Sequence, residues 1–222
     1  MKTIGIIGAF DTKGAEYAFL REAIEKRGFA VLTVNTGVMA STERFPVDIE
    51  ADAVAEAGGK DLSALREAGD RGAAMNAMAA GAAVVAARLA DEGKIDGIIG
   101  MGGSGGSSVV TAAMRALPVG FPKVCVSTVA GGDVASYVGT KDITMIPSIV
   151  DVAGLDLISR IILTRAAGAI CGMVDAEPEV SGEDKPVITA SMFGNTTECV
   201  NACVEKLEAK GYEVLVFHAT GA

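Results

Sequence analysis

The chain has 222 residues, half of them hydrophobic, with 28 glycines, 5% aromatics, no tryptophan and a formal net charge of −9. A chain this apolar is not disordered, its glycines lack the period of collagen, and its acidic balance argues against nucleic acid as a bulk electrostatic partner. The longest uncharged alanine-rich stretch, residues 72–87, falls short of the roughly 20 residues of a membrane span, and the opening MKTIGIIGAFD reads as a strand and not a signal peptide, so the expected compartment is the cytoplasm.

Residues 3–9 (TIGIIGA) form a continuous apolar run and read as a strand buried on both faces. Residues 14–27 follow with Tyr17, Leu20 and Ile24 on one helical face, and Gly28 closes that helix. Residues 30–34 (AVLTV) are the next strand, so the chain opens with a βαβ unit and the sheet should be parallel. Residues 35–60 are less regular, with a short acidic helix expected within 48–56. Helices are expected over 62–67 and 70–92, the second so rich in Ala and Gly that it could approach a sheet or another subunit closely. Strands are expected at 95–101, 123–128 and 143–146, and helices from the glycine-serine loop to Leu117 and over 152–170. An acidic linker, residues 175–186, ends this half.

After the linker the pattern restarts as strand 187–191, helix 196–210, Gly211 and strand 213–217. Phe10 set against Phe193 aligns FDTKGAEYAFLREAIEKRG with FGNTTECVNACVEKLEAKG without a gap, and both copies run on into Thr-Gly (Thr36-Gly37, Thr220-Gly221). The reading is an internal duplication. Residues 1–174 form a doubly wound, mainly parallel, Rossmann-like α/β domain, and residues 187–222 open a second similar domain that is cut short. A lone βαβ unit buries little surface. That tail and the smooth helix 70–92 predict a homo-oligomer.

Four loops at strand ends carry the candidate site. The strongest is the run from Gly100 to Ser108, where a glycine-serine loop lies between a buried strand and a helix. Glycine lets backbone approach a ligand, and the helix start supplies unpaired N–H groups and the positive end of the dipole. Gly102, Gly103, Ser104, Gly105, Gly106 and Ser107 are therefore the expected phosphate cradle. Asp11, Thr12 and Lys13 follow the first strand, with Asp11 a candidate for ribose or magnesium, or else a helix cap, and Thr12 and Lys13 for phosphate. Thr36 and Gly37 close the second strand, and Thr128, Gly131, Gly132 and Asp133 follow the 123–128 strand. Loops of this kind on one sheet edge favour one shared site.

Other features carry less. Gly102-x-Ser104-x-Gly106 matches the nucleophile-elbow pattern, with the single histidine, His218, downstream; Ser104 as a hydrolase nucleophile is a third reading. Cys125, Cys171, Cys199 and Cys203 lack metal-site spacing and read as reduced thiols, so no metal site is expected from them.

The blocks GIIGAFDTKGAEYAFL, GMGGSGGSSVVTAAMRALPVGFPKVCVST, AGGDVASYVGTKDITMIPSIVDVAGLD and SMFGNTTECV…FHATGA together resemble a bacterial and archaeal family. It is the family related to the N-terminal ATP-binding module of the tomato mosaic virus resistance protein. The resemblance spans essentially the whole chain. It implies tandem α/β domains in a protein about twice this length, and ATP as ligand, with or without Mg2+. It carries over only to the loop from Gly102 to Ser107. A non-catalytic regulatory module that binds a protein partner is the alternative to a nucleotide-dependent enzyme.

Overall fold

A computed structural model describes residues 1–177 and 185–221. Residues 178–184 of the expected linker, and Ala222, lie outside the described residues. The chain divides into two compact units, Met1–Ala176 and Glu177–Ala222.

In the first unit the apolar runs form five parallel strands: β1 (Thr3–Gly8), β2 (Ala30–Asn35), β3 (Gly97–Gly102), β4 (Lys123–Ser127) and β5 (Thr144–Pro147). Their order is β2-β1-β3-β4-β5. The central strands β1, β3 and β4 are buried at successive positions because both faces of the sheet are covered there. Ile7, Val34, Ile98 and Cys125 point to a layer built by α2 (Ala51–Ala57), α3 (Leu62–Ala68), α4 (Arg71–Asp91) and α5 (Ser104–Arg115). Ile4, Ile6, Ile99, Val124 and Val126 point to the other layer, α1 (Phe10–Glu25) and α7 (Leu157–Asp175). A four-residue helix, α6 (Ala135–Val138), follows β4. The expected α/β doubly wound architecture is the one observed, and the order reverses between β1 and β3.

The small-residue helix spends its smooth face within the unit. A Cβ built on Gly81 of α4 would lie 1.8 Å from the Val54 carbonyl oxygen, and one on Gly58 would lie 2.4 Å from the Ala77 carbonyl oxygen, so α2 and α4 meet backbone to backbone. Both α4 and α7 are long and apolar enough to cross a membrane by length and composition, yet each lays a row of side chains in the core, Met78, Ala82 and Val85 from α4 and Leu163, Ala167 and Ile170 from α7.

The second unit is a βαβ motif of its own, with β6 (Val187–Met192) parallel to β7 (Glu213–His218) and α8 (Thr197–Glu208) between them. The two copies of the sequence repeat use the same helix stop. Gly28 after α1 has φ 87° and Gly211 after α8 has φ 86°, a left-handed cap that a Cβ would strain.

Candidate functional site

The sheet opens where its order reverses. The β1–β3 ladder ends at Ile7 opposite Gly100, and beyond it the phenol of Tyr17 stands between the strands. Its hydroxyl accepts from the Met101 N–H (2.9 Å) and donates toward the carbonyls of Met101 (2.8 Å) and Ile7 (3.0 Å). Gly8 has no side chain because a Cβ there would lie 1.7 Å from that oxygen. Burial pushes the Tyr17 phenol far above its ordinary range, against the opposing hydrogen bond at Met101, so it is a neutral strut. Tyr17→Phe leaves the Met101 N–H without its acceptor and is expected to cost about 2 kcal/mol in a urea unfolding experiment. A loss of a few tenths would show that the strands re-pair without the hydroxyl.

The first loop beyond the opening belongs to α1. Its first turn starts at Phe10, whose N–H is capped by Asn35 Oδ1 from the end of β2 (3.2 Å), and the backbone kinks at Lys13 (φ −128°, ψ 28°). Asn35 is completely buried; Oδ1 also accepts from Gly37 N–H (2.8 Å), and Nδ2 donates to Glu50 Oε2 (3.0 Å) and to the Ala40 carbonyl (3.3 Å). The Asp11 carboxylate accepts from the N–H groups of Thr12 (2.7 Å) and Met39 (3.0 Å). It lies so close over Gly37 that a Cβ there would be 2.5 Å from its carboxyl carbon. Asp11 thus fits a latch for the segment after β2 better than a magnesium ligand, and among the described residues no group of three His, Cys, Asp or Glu side chains is placed to hold a metal.

The second loop is the glycine-serine run. The α5 ladder begins with Ser107 N–H on the Gly103 carbonyl (2.8 Å), which puts the N–H groups of Ser104, Gly105 and Gly106 at the free start of a twelve-residue helix. Ser107 lies beneath them, fully buried, its hydroxyl on Ser127 Oγ (2.6 Å) and the Gly102 carbonyl (3.2 Å). Gly102 is glycine for the turn itself, since a Cβ would meet the Gly106 Cα at 2.8 Å. Cys125, on the strand behind, has its thiol pushed up to about 12 by burial, against a hydrogen bond from Ser107, and stays protonated.

These loops share one cleft of about 660 Å³, within the roughly 300–1,000 Å³ of small-molecule sites. It collects Asp11, Thr12, Lys13, Thr36, Gly37, Gly103, Ser104, Gly105 and Gly106. Gly102 and Ser107 lie under its floor. Thr128, Gly131, Gly132 and Asp133 do not line it. The Thr128 N–H binds the Gly102 carbonyl (3.2 Å), and Asp133 Oδ1 accepts from Ala135 N–H (2.9 Å) at the start of α6.

The cleft also has residues that the strand-end argument missed. Arg66 from α3 and Arg71 and Met75 from α4 reach it from beyond Gly69, which takes φ 63°. A Cβ on Gly105 would lie 3.8 Å from Arg71 Nη2, so the guanidinium stands beside the start of α5. Arg71 makes no ion pair or side-chain hydrogen bond among the described residues, whereas Arg66 Nε donates to the Val38 carbonyl. One signal for Arg71 was in the sequence: it follows the capping Asp70 directly, and a cation in a first turn opposes the helix dipole. Asp151 lines the far side, in the segment between β5 and α7. That segment is tied to α1 by Lys13 Nζ on the Val152 carbonyl and by Gly154 N–H on the buried Glu16 carboxylate, and it holds Ile149 at φ 67°.

The N-terminal domain of a family described as Uncharacterised protein family (UPF0261) matches residues 2–179, and the family's C-terminal domain matches residues 185–222. The chain belongs to UPF0261. Two curated relatives are a UPF0261 protein of Clostridium tetani, 50% identical over 222 residues, and one of Mesorhizobium japonicum, 47% identical over 224 residues. Each alignment covers 100% of this chain but 54% of the relative, so the chain spans about half the length of the UPF0261 proteins it matches. The ToMV resistance protein Tm-1 of Solanum lycopersicum is 48% identical over 136 residues, 59% of this chain and 18% of the tomato protein.

Ser104 lacks the elbow geometry that a serine hydrolase needs. Among the described residues the single non-glycine residue with positive φ is Ile149, so Ser104 does not sit on the strained turn that presents such a nucleophile. His218 belongs to the second unit, where its Nδ1 faces the Thr220 hydroxyl (2.9 Å).

Proposed function

We propose that the first unit binds a nucleotide, ATP, at the β1–β3 edge, with its phosphates on the start of α5. The observation that carries this reading is the meeting of an uncapped, glycine-lined helix start with the unpaired Arg71 guanidinium in a cleft at the sheet's switch point. In open α/β sheets that crevice is where ligands bind. Backbone N–H groups of Ser104, Gly105 and Gly106 point their dipoles at an anion, and Arg71 adds a planar fork suited to phosphate. Lys13 has spent one donor on Val152 and keeps two for the ligand. The family relationship to the tomato resistance protein supports ATP over other anions.

Calorimetry of the chain with ATP, in the presence and absence of Mg2+, tests the reading. Saturable binding is expected under both conditions. No heat at millimolar ATP, or undiminished affinity in Gly105→Val, overturns it.

A further inference from the structure

The proposed phosphate cradle fills only part of the cleft. The remainder is lined by Val38, Met39, Leu65, Ala74, Met75 and Val109 and by Arg66 and Asp70, whose Nε and Oδ1 are already bonded to the Val38 carbonyl and the Ala73 N–H; no side-chain amide is among them. Met39 is 75% exposed, which on a loose loop would mean little. Its loop is not loose. Thr36 N–H binds the Gly8 carbonyl (2.8 Å), Gly37 N–H binds Asn35, Met39 N–H binds Asp11, and the Val38 carbonyl accepts from Arg66. A thioether is thus held out over the cleft by a backbone fixed at four consecutive residues, two of the fixing groups being the buried Asn35 and the latch Asp11. A second thioether, Met75, lies across the start of α5, its Cε 2.8 Å from where a Gly105 Cβ would be. The same bonds occupy backbone polar atoms of residues 36–39. Three of their N–H groups and the Val38 carbonyl are spent on the protein.

We propose that this wall is a subsite for a flat ring attached to the anion, recognised on its faces by thioether and branched side chains and not read along its polar edge. The ligand class is then an anion carrying a heteroaromatic ring, and the ring's exocyclic groups go unselected. This rests on the anion site proposed above and specifies its other half. Sulfur against an aromatic face is a favourable and shape-tolerant contact. Discrimination among rings requires buried donors and acceptors aimed at their edges.

The test is competition calorimetry on the chain with ATP, GTP and inorganic triphosphate. ATP and GTP should bind within about threefold of each other, and inorganic triphosphate at least about tenfold more weakly than either. Met39→Ser, on an exposed side chain, should weaken both nucleotides roughly fivefold, leave triphosphate unchanged and leave the melting temperature unchanged. Triphosphate binding as tightly as ATP, a preference of more than about tenfold between purines, or nucleotide affinities unmoved by Met39→Ser would each overturn the ring subsite while the anion site stands. Binding of none of the three would instead remove the anion site itself.

Discussion

Gly81→Ala should destabilise the first unit by about 3 kcal/mol, although alanine is the better helix former by about 1 kcal/mol. The added Cβ would lie 1.8 Å from the Val54 carbonyl oxygen and 3.0 Å from the Gly58 nitrogen. Both are backbone atoms of the α2 region and cannot rotate aside, so the helices must separate, and the packing of Val54, Ala55, Ala77 and Met78 loosens with them. Gly172→Ala in α7 is the matched control. Nothing lies within 4 Å of its Cβ position, so there the propensity difference acts alone and the change should stabilise by about 0.5–1 kcal/mol. Opposite signs in urea unfolding for the same substitution would show that α4 is small-faced for close packing on α2. If both changes stabilise, the close approach of α2 and α4 is wrong.

That contact also marks where local sequence pattern stops being informative. The Ala and Gly run of α4 announces a close neighbour but not its identity, and a face that could have met a second subunit meets α2. The start of α1 was hidden for a similar reason. Gly14 suggests a helix beginning there, but the helix begins at Phe10, because its first N–H is capped by Asn35 across 25 residues and Lys13 absorbs the kink. The start of α7 lies five residues later than the apolar pattern from Val152 suggests. Val152 is a buried loop residue, and the capping box of Asp156 and Ser159 sets the boundary. The strands were legible because burial on both faces leaves an unbroken apolar run, and parallel order followed from the opening βαβ grammar. Within the candidate site, glycine spacing picked out a loop that reaches the cleft but could not separate the residues that line the cleft from those beneath it. Gly102 and Ser107 flank the same run as Gly103 to Gly106, yet they serve the turn and the core.

The residue outside that strand-end logic should be the most sensitive test of the site. Arg71→Ala is expected to weaken ATP roughly tenfold to a hundredfold, the range for losing a charge-assisted contact to a phosphate. Arg71→Lys should recover little, because an ammonium cannot reproduce the two-pronged geometry of a guanidinium. The affinity of the wild-type chain should fall as salt is raised, and that of Arg71→Ala should fall less steeply. Stability supplies the readout that separates a binding role from a structural one. Arg71 is the first residue of α4, beside its N-cap Asp70, where its charge opposes the helix dipole, and it has no ion-pair partner among the described residues. Removing it should raise stability by about 0.3–1 kcal/mol while affinity drops. On the proposed reading, a guanidinium that costs the fold something and has no ion-pair partner among the described residues, beside a row of free N–H groups, has its compensation in the nucleotide. Affinity within about twofold of wild type after Arg71→Ala would place the phosphate elsewhere.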